Sequence, residues 1–118
     1  MQPENTKLET VVSEVSGVPV IKAGGEIDFC SAGELKLALD TAIETGAKNL
    51  IIDLSDVSYI DSSGFKAIFT ATKQIKSKGG AVNLVANDSI NRLIKLMCLD
   101  SAIQTSGNME EALRAYAE

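Results

Sequence analysis

Residues 49–64 read Asn49-Leu50-Ile51-Ile52-Asp53-Leu54-Ser55-Asp56-Val57-Ser58-Tyr59-Ile60-Asp61-Ser62-Ser63-Gly64, and the hydrophobic period changes across them. Asn49–Leu54 is a short, nearly continuous apolar run. Such a run suits a central strand covered on both faces, as in a sheet flanked by helices. After Gly64, the residues Phe65, Ile68, Phe69, Thr72 and Ile75 recur with helical spacing and mark the inner face of an amphipathic helix. Asp61-Ser62-Ser63-Gly64 therefore stands where a strand hands over to a helix. Two readings of it are open. Asp61, Ser62 or Ser63 suits a plain helix cap, since these are preferred N-cap types. A hydroxyl directly after an aspartate at a first helical turn also suits a phosphate carrier. Free N–H groups and the helix dipole both favour negative charge there.

Working outward, Leu8–Val15 reads as a first strand, Ser16-Gly17 as a turn, and Val18–Ala23 as a second strand. Pro19 demotes that second strand towards an edge or marks an unpaired position. Gly24-Gly25-Glu26-Ile27-Asp28 is expected to end it, the glycines allowing a sharp turn. Ser31 and Glu34 have capping-box spacing for a first helix carrying Leu35, Ala38, Leu39, Ala42 and Ile43, closed by Gly46. Downstream, Gly79-Gly80 stops the second helix and Ala81–Val85 is a strand. Asp88 is the expected cap of a third helix with core face Ile90, Leu93, Ile94 and Met97. Ala102–Thr105 suits a last short strand. Asn108 and Glu111 suit the cap of a final helix with Met109, Ala112, Leu113 and Tyr116 inward. Strands alternating with helices predict an α/β fold, a mixed sheet of four to five strands with about four helices packed on it. Residues 7–118 are expected to form one domain and residues 1–6 a loose polar tail.

Composition narrows the function. The chain has 118 residues, 45% of them hydrophobic, which is enough for a core and too apolar for disorder. It has no run of 18 apolar residues, and Met1–Lys7 lacks the pattern of a signal peptide, so the cytoplasm is the expected location. Cys30 and Cys98 form no metal spacing, and each reads as a small reduced hydrophobe. The net charge of −5 without a basic cluster, and the absence of Trp, argue against nucleic acid. Histidine is absent, so a Ser-His-Asp arrangement is impossible. No GxxxxGK[ST] or GxGxxG occurs. A Ser62–Lys66 pair has the spacing of catalysis and equally of an ordinary helix surface. Asp28, Asp53, Asp56 and Asp61 fall near strand ends. They invite a metal reading, but no EF-hand spacing supports it against solvated and capping carboxylates. No enzymatic activity, cofactor or metal is expected.

The chain resembles the STAS domain family, and within it the bacterial anti-sigma factor antagonists. Three stretches carry the resemblance: Gly25-Glu26-Ile27-Asp28 followed by Ser31-Ala32; residues 49–64, the most specific; and Leu93-Ile94-Lys95-Leu96 with Leu99 and Asp100. The resemblance implies that Ser62 is phosphorylated by a partner anti-sigma factor with serine-kinase activity, which itself binds the ATP. It implies that the unphosphorylated protein binds this kinase and frees the sigma factor, and that a metal-dependent serine phosphatase resets the switch. Asp28, Asp61, Ser62, Ser63, Gly64 and Lys66 would form the partner-binding face, and the free protein would be a monomer. The chain departs from the family at Phe65-Lys66, where a small or aliphatic pair is usual, and at Cys30. The alternative is a STAS partner-switch or scaffold protein in secretion, motility or chemotaxis.

Overall fold

The structure, a computed structural model, describes residues 8–116. The expected tail, residues 1–6, lies outside the described residues. Among the described residues, nine elements follow in order: β1 (Glu9–Val15), β2 (Val18–Ile27), α1 (Ala32–Glu44), β3 (Asn49–Ile60), α2 (Ser62–Ser77), β4 (Ala81–Val85), α3 (Asp88–Leu96), β5 (Thr105–Ser106) and α4 (Met109–Arg114). The five strands lie in sequence order in one sheet. β1 is antiparallel to β2, and β2, β3, β4 and β5 are mutually parallel. This is the mixed sheet with four helices that the hydrophobic pattern predicts.

Alternation along the strands builds two cores. Ile21, Ala23, Ile27, Leu50, Ile52, Leu54, Val82 and Leu84 face Leu35 and Leu39 of α1, Phe65, Ile68 and Ile75 of α2, and Ile90 and Ile94 of α3. On the other face, Val20, Ile51 and Val85 are covered by Ala112, Met109 and Leu113 of α4 and by Tyr116 just after it. The Tyr116 hydroxyl lies 3.1 Å from the carbonyls of both Leu50 and Ala81, tying the end of α4 to β3 and β4. Burial pushes its pKa up to about 12.

Of the two expectations for Pro19, the unpaired position holds and the edge does not, because β2 pairs with β1 on one side and β3 on the other. Ser16 (φ 53°) and Gly17 (φ 83°) form a two-residue turn with both angles positive, so Val15↔Val18 is the hydrogen-bonded pair beside it. Strict alternation then makes Glu14↔Pro19 a non-hydrogen-bonded pair, and pairing with β3 begins only at Val20↔Ile51. The proline therefore removes no ladder bond. Gly24-Gly25 likewise does not end β2. The strand runs on to Ile27 through register shifts at Lys22/Gly24 and Gly25/Glu26, with Gly25 at φ 100°.

β3 also outruns its apolar stretch, ending at Ile60 rather than Leu54. Residues 55–60 pair with β2 alone, up to Ile27↔Ile60, whereas β4 stops opposite Asp53. The edge this leaves bare is taken by one side chain. The Asn87 amide nitrogen donates to the carbonyls of Ser55 (3.1 Å) and Val57 (2.8 Å), and its oxygen accepts from the Ile90 N–H at 2.8 Å. Asn87, not Asp88, is thus the cap of α3. Asp88 is the first helical residue, where its charge suits the dipole. Met97, expected in the core, follows the end of α3 and is 39% exposed. Asn108 caps α4 as expected, accepting from the Glu111 N–H, while the Glu111 carboxylate accepts from the Gly107 N–H. Asn87→Ala is expected to lower unfolding stability by about 2 kcal/mol, through one lost cap and two unpaired carbonyls, as read by urea denaturation.

Candidate functional site

The paired ends of β2 and β3 carry the site. Ile27 and Ile60 lie side by side, and the Asp61 N–H donates to the Ile27 carbonyl at 3.0 Å, closing the two strand ends together. Asp61 is extended and caps α2. One carboxylate oxygen accepts from the N–H of Ser63 (2.9 Å) and, more weakly, from that of Gly64 (3.4 Å), and from the Ser63 hydroxyl (2.5 Å). The Asp61 carbonyl accepts from the N–H groups of Gly64 and Phe65, both at 3.1 Å. The Ser63 hydroxyl bond holds the Asp61 carboxyl below the usual carboxylate range. Partial desolvation opposes this, and the N–H groups of Gly64, Ser63 and Phe29 add to it.

These bonds divide the labour within Asp61-Ser62-Ser63. Asp61 is the cap and Ser63 braces it, whereas Ser62 is exposed at the first position of α2 and takes no part in the cap. They also correct one expectation. The N–H groups of Ser63, Gly64 and Phe65 are already engaged by Asp61 and are not free for a phosphate on Ser62.

A second turn sits beside the first. The Asp28 carboxylate accepts from the N–H groups of Cys30 and Ser31, both at 3.0 Å, and the Ser31 hydroxyl oxygen accepts from the Asp28 N–H at 2.9 Å. The expected Ser31/Glu34 capping box is absent, because Ser31 is turned into this β2–α1 turn and its side chain makes no cap bond. Cys30 and Cys98 are free thiols, as the reading as reduced residues expects, and both are exposed.

Asp28, Asp61, Ser62 and Ser63 are thus brought to one end of the sheet. Lys66 is exposed one helical turn beyond Ser62. Gly64 lies beneath this surface. A Cβ there would meet Ile27 Cγ2 at 2.6 Å and Ile60 Cγ1 at 2.7 Å, so its role is to let α2 seat on the strand ends. The other acidic residues are occupied elsewhere: Asp53 is buried and accepts from Ser55, and Asp56 pairs with Lys22 at 3.1 Å. Sequence reasoning passed over Phe29, which lies within the Asp28–Ser31 turn and is 82% exposed. A large apolar residue between a strand end and a helix start was the available signal.

The sequence matches the STAS domain family over residues 9–112. The chain belongs to that family. Among its relatives, this STAS domain is 33% identical over 107 residues to the anti-sigma-F factor antagonist RsfB of Mycobacterium tuberculosis, spanning 90% of this chain and 87% of that protein. It is 35% identical over 91 residues to the anti-sigma-B factor antagonist of Bacillus subtilis, spanning 76% and 83% of the two chains. Its fold matches the crystal structure of an anti-sigma factor antagonist from Mycobacterium paratuberculosis with a TM-score of 0.87 at 29% identity, over 97% of this chain and 96% of that one. No helix among the described residues of this STAS domain is long and apolar enough to cross a membrane.

Two outcomes follow for the cap. Asp61→Ala is expected to cost about 1 kcal/mol, and Asp61→Asn clearly less, because Asn also caps well. The folded pKa of Asp61 is depressed, so its contribution is present above the ordinary value near 3.8 and fades as pH falls through the folded value. Denaturation curves between pH 7 and pH 2 should show an acid loss in the parent that is smaller in Asp61→Asn. Gly64→Ala is expected to destabilise by roughly 1–3 kcal/mol despite the better helix propensity of alanine, because the new methyl overpacks Ile27 and Ile60. An unchanged midpoint would contradict that packing.

Proposed function

We propose that this STAS domain is an anti-sigma factor antagonist that acts by binding rather than by turnover. In its unphosphorylated form it binds an anti-sigma factor with serine-kinase activity and thereby frees a sigma factor. The kinase transfers the γ-phosphoryl group of its ATP to the Ser62 oxygen, with loss of the hydroxyl proton and release of ADP, and the modified protein lets go. A metal-dependent serine phosphatase restores the hydroxyl. The partner face comprises Asp28, Asp61, Ser62, Ser63 and Lys66, seated over Gly64. Residues 7–118 act as the folded unit, monomeric when free, in the cytoplasm with the transcription machinery.

The observation that carries this reading is the exposed, uncommitted hydroxyl of Ser62 beside a carboxylate that has taken over the cap. A residue with no structural duty accepts a phosphate without dismantling α2. The phosphate adds about −1.5 to −2 charges next to Asp61. The relatives described above, named as antagonists of anti-sigma factors and aligned over most of their length, support the same partner class.

The test is incubation with each serine kinase of the anti-sigma type encoded in the same genome, with ATP, followed by mass spectrometry and calorimetry. Phosphate is expected on Ser62 and absent from Ser62→Ala. Affinity for the kinase should fall about 100-fold on modification, a loss of ~3 kcal/mol. Equal affinity of the two forms would sink the switch, and tight binding without phosphate would favour a scaffold role.

A further inference from the structure

Phe29 is 82% exposed, more than Leu96 at 72% or Leu37 at 67% among the large apolar side chains of the described residues. It belongs to neither core cluster. The turn that presents it is nonetheless braced on both sides. The Asp28 carboxylate holds the N–H groups of Cys30 and Ser31, and the Ser31 hydroxyl holds the Asp28 N–H. On the other side, the Asp61 N–H donates to the carbonyl of Ile27, two residues before Phe29, at 3.0 Å. The ring is therefore offered from a pre-ordered backbone one residue from Asp28 and directly beside the cap that precedes Ser62. A braced aromatic carries a large apolar area with only two side-chain torsions to freeze, which is the usual character of an interface anchor. A phosphoacceptor hydroxyl alone offers a kinase little area to hold.

The geometry points to Phe29 as the apolar anchor by which the serine kinase grips this protein, seated in an apolar pocket of the kinase next to its phosphotransfer site. The inference rests on the function proposed above and adds the residue that supplies affinity rather than the switch. Ser62 supplies the change in charge and Phe29 supplies the area, so loss of the ring raises the concentration needed for phosphorylation and leaves the transfer step intact.

Calorimetry of the full chain against the purified kinases, with a non-hydrolysable ATP analogue, tests this. The variants are Phe29→Ala, Phe29→Tyr, and Leu96→Ala as an exposed apolar control. Leu96 ends α3, whose start lies at the Ser62 end of the sheet, so it sits at the far end. Phe29→Ala should bind roughly 30-fold more weakly, with an unchanged melting temperature. Phe29→Tyr and Leu96→Ala should bind as the parent does. In phosphorylation assays, Phe29→Ala should show a raised KM for the protein substrate with kcat retained. Binding by Phe29→Ala within twofold of the parent overturns the anchor while leaving the phosphorylation switch standing. A fall in kcat at saturation also overturns it, by placing Phe29 in the transfer step. If the parent binds no kinase, the function reading fails and the anchor with it.

Discussion

The Asp61 carboxylate is the interaction on which the functional end of this molecule depends. It closes α2 by accepting from Ser63 and Gly64, while the Asp61 backbone N–H closes β3 onto β2 through the Ile27 carbonyl. One residue thus fixes the start of a helix and the registry of two strand ends. Gly64 completes the joint because only a residue without a Cβ lets α2 approach Ile27 and Ile60. With the cap assigned to Asp61, the neighbouring Ser62 is relieved of structural duty. The structural aspartate and the free serine are thus separate residues of one short turn.

The strand ends reach this position through a ribbon that the rest of the sheet does not share. β4 and β5 are short, and β2 and β3 continue past them as a pair. A two-stranded ribbon is marginal by itself. Here the core under Val57 and Ile60 and the Asn87 side chain on the bare edge support it. The start of α3 is tied to the same strand that carries Asp61, so three helical elements converge on the site: the starts of α1, α2 and α3. Each has its first turn at this end of the parallel strands, where βαβ units place their loops.

The elements with strong period were readable from the sequence, and those fixed by a partner strand or a single side chain were not. Helices α1, α2 and α4 follow their apolar spacing, and β4 follows its apolar run. The second half of β3, Ser55-Asp56-Val57-Ser58-Tyr59-Ile60, carries no continuous apolar signal because it is buried on one side of a ribbon only, so its strand character comes from pairing with β2. Gly24-Gly25 signals a turn in isolation and becomes a pair of register shifts once β1 and β3 hold the strand on both sides. Asn87 and Asp88 are both good caps, and the choice between them was made by the free carbonyls of Ser55 and Val57, which lie 32 and 30 residues away. At the site, the residues were readable and their roles were not. Local sequence gave no means of deciding which of Asp61, Ser62 and Ser63 caps α2. It also gave no sign that three of the first-turn N–H groups, those of Ser63, Gly64 and Phe65, would already be taken.

The Asp61 cap governs how a phosphate on Ser62 would act. If the first turn of α2 were open, a phosphate on Ser62 would fold back onto it and be partly neutralised. With the turn filled by Asp61, added charge stays on the outer surface beside another negative group. In water, two unit charges of like sign 4 Å apart repel by about 1 kcal/mol, and salt screens them further. A folded domain tolerates that easily, and the helix dipole offsets part of it. When a partner surface covers the turn and expels water, the effective dielectric constant falls towards ~20 and the same pair costs about 4 kcal/mol. The penalty is thus small in the free protein and large in the complex. A charge placed beside a filled cap acts on association while sparing the fold.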